Sequence, residues 1–247
     1  MPRFIYHKKL DVRIWNSDGT MNKLVSNALQ MVAWEYIAYI QRIGFPLLDE
    51  CVRDIFVHGS TTNYYYDDTS DIDICIVADM NKMYKTFPGV DTYALMKNAL
   101  GAWRRNYRIK ICGRGIDIEF VDVGAPKYDP NIYKVGSAYS IMRDEWIRRP
   151  QLLRGEQIRK IRRDARRLYR EIRAQYRKIR RDEMGDNFVE TFLMRLSHER
   201  KESYANNFLQ PVTAQTMAFR MARRARILGK LKERAAHYRS RNFNVSF

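Results

Sequence analysis

The chain has 247 residues, 45% hydrophobic and 13% aromatic, enough for a core and too many for wholesale disorder. Lys and Arg outnumber Asp and Glu by 45 to 28, a net charge of +17 that suggests a polyanionic partner. Cys51, Cys75 and Cys112 lack the CxxC spacing of a zinc site or disulfide framework, and the most apolar window, 31–48, is too broken by Glu35, Gln41 and Arg42 to span a bilayer.

The N-terminal MPRFIYHKKLDVRIWN has no secretory pattern, so the expectation is a soluble, cytoplasmic protein. Residues 21–42 predict a helix, with Leu24, Ala28, Val32, Tyr36 and Ile40 at helical spacing and Gly44 and Pro46 ending it. A short segment, 47–53, leads into a strand over 54–58 that stops at Gly59-Ser60. The polar run TTNYYYDDTS, 61–70, reads as a loop anchored by tyrosines or as a base-stacking surface, with Asp67 and Asp68 solvating it.

DIDICIV, 71–77, alternates strictly: Ile72, Ile74 and Ile76 form a core face, while Asp71, Asp73, Cys75 and Val77 point the other way. Thr92–Arg105 predicts a helix with Leu95, Ala99 and Trp103 on one side. Strands over 108–112 and 115–123 are joined by a hairpin at Gly113-Arg114. Pro126–Asn131 reads as a loop, 139–150 as a short ordered connector, and everything beyond Gln151 as helical. The order predicts an α+β fold: a catalytic-size domain over 1–150 and a basic α-helical domain over 151–247.

The chemistry gathers in three short elements. Gly59 has no side chain, so the backbone and Ser60 can approach a phosphate closely. Asp71 and Asp73 are alternate residues of one strand, with Cα atoms about 7 Å apart, and can converge on shared cations. Asp117 and Glu119 share one face of a later strand, in GIDIEFVDV, whereas Asp122 faces away. Such a crowd of carboxylates needs positive charge, and Mg²⁺ is the natural counter-ion. His58 reads as a packed strand residue. Arg104, Arg105, Arg108, Lys110 and Arg114 could reach phosphate, although a solvated face suits most of them better.

Gly59-Ser60, then Asp71-Ile72-Asp73, then Ile116-Asp117-Ile118 together resemble the DNA polymerase β-type nucleotidyltransferase superfamily. VHGSTTNYYYDDTSDIDI, AYSIMRDEWIRRP and QPVTAQTMAFRMARRARILGKL resemble nucleotidyltransferases encoded by tailed phages, which would place the protein in a host cytoplasm. The resemblance implies a small mixed sheet flanked by helices and transfer of NMP from an NTP, with ATP favoured, to a hydroxyl. It implies two Mg²⁺ or Mn²⁺ ions held by Asp71, Asp73 and Asp117. Asp117 would orient or deprotonate the acceptor, with Glu119 as its substitute, and Gly59 and Ser60 would hold the β,γ-phosphates. The alternative is a catalytically silent protein of this fold that binds nucleic acid or an assembly.

The positive charge is not spread evenly. Residues 1–147 hold 18 basic and 18 acidic side chains, 148–181 hold 15 and 3, and 220–241 hold 9 and 1. Ile158, Ile161, Ala165, Leu168, Ile172, Gln175 and Ile179 follow the 3,4 spacing of a heptad seam, interrupted at Gln175. That seam packs against another helix of the chain, a partner protein or a second copy. The other faces are Arg-rich, and Arg162, Arg163, Arg166, Arg170, Arg173 and Arg177 are candidates for nucleic-acid backbone contacts. In the second basic block, Met217, Met221, Ile227, Leu228, Leu231 and Ala235 form an apolar side. The favoured acceptor is therefore a nucleic acid, an RNA 3′ end.

Overall fold

A computed structural model describes residues 2–44, 49–86, 88–89, 91–124, 137–205 and 212–243. The Pro126–Asn131 loop and the Pro46 helix stop lie outside the described residues. The chain divides into two compact units, Ile5–Leu152 and Leu153–Phe247, the latter together with Met1–Phe4. Among the described residues no helix is long and apolar enough to cross a membrane.

The first unit is a mixed sheet with helices on one face. Its elements are α1 (Lys23–Arg42), β1 (Val52–His58), β2 (Ile72–Ala78), α2 (Met80–Thr86), α3 (Thr92–Asn106), β3 (Lys110–Ile111), β4 (Arg114–Asp122), β5 (Ala138–Ser140) and β6 (Glu145–Arg148). Among the described residues the strand order is β3-β4-β2-β1-β5-β6, and only the β2–β4 pair is parallel. That parallel pair requires the crossover through α2 and α3. The residues read as a connector from 139 instead form the antiparallel pair β5–β6 at the sheet edge.

Alternation puts the apolar residues of three strands on the helix-covered face. Ile55, Val57, Ile72, Ile74, Ile76, Ile118 and Phe120 pack there with α1 and α3. The Tyr36 hydroxyl donates to the Met96 carbonyl at 2.8 Å, and the Tyr36 ring meets Trp103 edge-on. The N-terminal segment also reaches this core through Ile14, Trp15 and Met21. Its contribution left no periodic signal in the sequence.

Two helix faces differ from expectation. On α1 the buried line is Val25, Leu29, Val32, Ala33, Tyr36, Ile37 and Ile40, and Leu24 is exposed. Asn22 caps this helix, its side chain accepting from the Leu24 amide, which places Leu24 in the solvated first turn. On α3 Met96, Ala99, Leu100 and Trp103 are buried, and Leu95 is not. The hairpin turn falls at Cys112-Gly113, one residue earlier than predicted. Both residues have positive φ, as the tight two-residue hairpin turn demands.

The second unit is helical: α4 (Gly155–Arg180), α5 (Asp186–Ala205), α6 (Ala214–Arg224) and α7 (Ile227–Phe243). Helix α4 lies along α6, and α5 lies along α7; of the Ile158–Ile179 seam, Ala165, Ile172 and Ile179 are buried and the other members half-buried. Ala165, Tyr169, Ile172 and Ile179 are buried in α4, and Met217, Met221, Ile227, Leu228, Leu231 and Ala235 are buried in α6 and α7. Phe4 belongs to this core, with the Arg162 guanidinium 5.3 Å from its ring centre.

Candidate active site

Strand β1 ends at His58, and Gly59 follows with φ +83°. That left-handed conformation disfavours any residue with a Cβ. A Cβ here would also collide with the Asp73 carboxylate. Gly59 therefore both reverses the chain and leaves Asp73 its space. The Gly59 carbonyl accepts from Thr62 Oγ1 at 3.0 Å, and the Thr62 and Ser137 hydroxyls share a 2.8 Å hydrogen bond. Asn63 Nδ2 donates to Ser137 Oγ at 3.2 Å. Ser60, Thr61, Thr62 and Asn63 are all buried, so the turn is fixed from below by the residue preceding β5.

The acidic residues come from two neighbouring strands. Asp73 stands opposite His58 on β1 and opposite Asp117 on β4. Asp71 lies just before β2, and a Cβ on Gly115 would sit 2.9 Å from Asp71 Oδ1. Glu119 pairs with Cys75, one alternation deeper along β4. Below the carboxylates this face closes on a small apolar cluster of Phe56, Cys75, Val77, Val121 and Ala138. Asp122, on the opposite alternation, accepts from the Met80 amide at 3.1 Å and caps α2.

Two basic side chains, read from sequence as a phosphate-reaching or solvated arginine and a packed strand histidine, engage these carboxylates. Arg104, in the last turn of α3, forms an ion pair with Asp117 and donates to the Ile118 carbonyl at 2.6 Å. His58 Nε2 lies 3.0 Å from Glu119 Oε1, with the imidazole largely buried. Glu119 is thus turned toward β1, and Asp117 is the carboxylate directly beside Asp73.

The donor set is three hard carboxylates, two on alternate positions of one strand segment and one on the neighbouring strand, the kind Mg²⁺ takes, and the missing Cβ at Gly59 leaves room for the Asp73 carboxylate against the turn. The groups are not gathered, however. Among the described residues no three His, Cys, Asp or Glu side chains stand close enough to hold a metal ion. Asp117 sits on Arg104 instead.

Arg114 corrects the surface reading of the basic residues near the site. It is 2% exposed and donates to the Asp67 carbonyl at 2.6 Å, to the Ser70 carbonyl at 2.8 Å and to the Asp11 carboxylate. Burial would raise the Asp11 pKa, but hydrogen bonds from Arg13 and Arg114 hold it below its ordinary value. The Tyr66 ring stacks on His7, 4.0 Å between centres, with the Arg114 guanidinium 5.7 Å from its centre. Asp67 is buried and accepts from the Thr69 amide and hydroxyl, whereas Asp68 is almost fully exposed. The loop between the Gly-Ser turn and the Asp-rich strand is therefore held by a buried cation.

The six arginine candidates, Arg162, Arg163, Arg166, Arg170, Arg173 and Arg177, belong to α4 of the helical unit and are exposed. No family model, no curated protein and no solved structure matches the chain. Any functional reading therefore rests on the residues themselves.

Proposed function

We propose that the protein is a metal-dependent nucleotidyltransferase of the DNA polymerase β type. It moves NMP from an NTP, ATP being favoured, to a hydroxyl acceptor, with a nucleic-acid (RNA) 3′ end as the preferred acceptor. The observation that carries this reading is the register of β2 and β4, which sets Asp73 opposite Asp117, with Gly59 packed on Asp73 from the turn ending β1.

In this reading Asp71, Asp73 and Asp117 would hold Mg²⁺, which when bound would screen the triphosphate and acidify the acceptor hydroxyl. Gly59 and Ser60 seat the β,γ-phosphates on a turn that Thr62, Asn63 and Ser137 keep rigid. Asp117 leaves Arg104, orients the acceptor hydroxyl and takes its proton. The hydroxyl oxygen bonds to the α-phosphorus, the bond from that phosphorus to the β-phosphate oxygen breaks, and pyrophosphate departs.

One observation favours the second reading, a catalytically silent protein of this fold. Asp117 is already paired with Arg104, and among the described residues no three metal-binding side chains converge. The experiment that separates the two is incubation with each α-³²P NTP and Mg²⁺ in the presence of RNA, DNA and protein fractions. Label entering one fraction supports the transferase and names the acceptor. No label in any fraction, with Mn²⁺ also tried, supports the silent reading.

A further inference from the structure

Seven arginines form a single file along α4: Arg159, Arg163, Arg166, Arg170, Arg173, Arg177 and Arg180. Their spacing alternates 4 and 3, so they share one side of the helix, and all seven are exposed. At about 1.5 Å per residue the file runs about 32 Å. Among the described residues its only ion pair is Arg163 with its neighbour Asp164, at 3.7 Å. Like charges one helical turn apart repel, so the file is destabilising to α4 unless an anion lies along it.

The next row, Lys160, Asp164, Arg167, Glu171, Ala174 and Lys178, is broken by two carboxylates and an alanine. The basic surface is therefore one uninterrupted line with a weaker flank. At its C-terminal end the line borders a cleft of about 400 Å³. Arg173, Arg177 and Arg180 line this cleft together with the rings of Tyr169 and Tyr176, and no carboxylate is among its walls. Tyr169 is buried, and Tyr176 is the more open of the two.

We infer that this file and its tyrosine-walled cleft are a seat for single-stranded nucleic acid. The phosphates run along the arginines, and one base enters the cleft at Tyr176. Successive cations and an aromatic platform are the two parts of a sequence-tolerant single-strand site. Guanidinium groups suit phosphate oxygens better than ammonium groups do, and every member of the file is Arg. A duplex fits less well. Each of its strands winds a full turn in about 34–36 Å, so a straight 32 Å line meets a given strand only where it crosses. A helix lodged in a groove would need unbroken charge on both flanks. The inference deepens the proposed function by giving the acceptor its form, yet it needs no turnover.

The test uses the full chain without NTP or divalent metal, so binding is read apart from transfer. Fluorescence anisotropy is measured with labelled 20-nucleotide single strands, ribo and deoxyribo, and with the matching duplexes, across a salt series. The expected result is single-strand binding at least tenfold tighter than duplex, with log K falling against log salt at a slope no steeper than about −5. The tighter of the two single strands names the sugar. Arg166→Gln/Arg170→Gln/Arg173→Gln should flatten the slope by about 2 and weaken low-salt binding at least tenfold. The corresponding Arg→Lys triple should keep the slope, and both should melt like the parent. Duplex binding as tight as single-strand binding, or a slope unchanged in the Gln triple, overturns the inference. NMP transfer to a protein or small molecule with no oligonucleotide binding would overturn it while leaving the transferase reading intact.

Discussion

Asp73 and Asp117 occupy directly opposed positions on the parallel strand pair β2–β4. Carboxylates so placed repel each other, and the fold relieves this by giving Asp117 to Arg104. The same arrangement makes Arg104 a competitor for any cation brought to Asp73.

Arg104→Gln should therefore tighten Mn²⁺ binding at least threefold, measured by paramagnetic resonance titration without NTP, because Asp117 is released toward Asp73. Unchanged or weaker Mn²⁺ binding would show that the Arg104–Asp117 pair is only a strut.

Gly59→Ala should cost about 1–2 kcal/mol of stability from the left-handed backbone alone. It should also push the Asp73 carboxylate aside, so transfer falls much further than stability does. Thermal melting and labelled-NTP turnover are compared on the same preparation. A variant that turns over like the parent would show that Asp73 does not need this space.

The buried Arg114–Asp11 pair sets an acid limit on the first unit. Arg114→Ala leaves Asp11 buried and half-partnered, and should destabilise by about 3–5 kcal/mol. Asp11 has its pKa depressed by folding, so its contribution is fully present above its ordinary value of 3.8 and is lost as pH falls through the lower, folded value. Melting from about pH 5 down to about pH 2.5 should show a steeper loss in the parent than in Asp11→Asn. Parallel curves would mean that Asp11 does not titrate differently on folding.

Gln175 sits in the seam of α4, and its Oε1 is buried without a hydrogen-bond partner among the described residues. Gln175→Leu removes that orphaned acceptor beside Leu168, Ile172 and Phe192, and should stabilise the helical unit by about 1 kcal/mol, read as a rise in its thermal midpoint. A fall in the midpoint would mean that the amide is satisfied by water in the cleft.

The sequence was legible where one periodicity ruled. DIDICIV is a strand because its isoleucines and carboxylates alternate, and that alternation correctly put Asp73 and Asp117 on one face and Asp122 on the other. The seam of α4 was equally plain, and its partner proved to be α6. Edge elements were not legible. Strands β5 and β6 are 3 and 4 residues long, too short for alternation to declare itself, and they are fixed by pairing, β5 with β1 and β6 with β5. Arg104 and Arg114 looked alike in sequence, two cations near the site. Only tertiary placement makes one the partner of Asp117 and the other a buried clasp on the 61–70 loop. Ser137 carried no motif at all, yet it holds the Gly-Ser turn.

The most direct test of the central claim is NMP transfer from α-³²P NTP by the parent, Asp73→Asn and Asp117→Asn, each checked by thermal melting. The account predicts labelled acceptor with the parent, none with either variant, and melting transitions nearly unchanged, because Asp117 is half exposed and Asp73 lies at the open end of the sheet face. Transfer by either variant within a few-fold of the parent would contradict it.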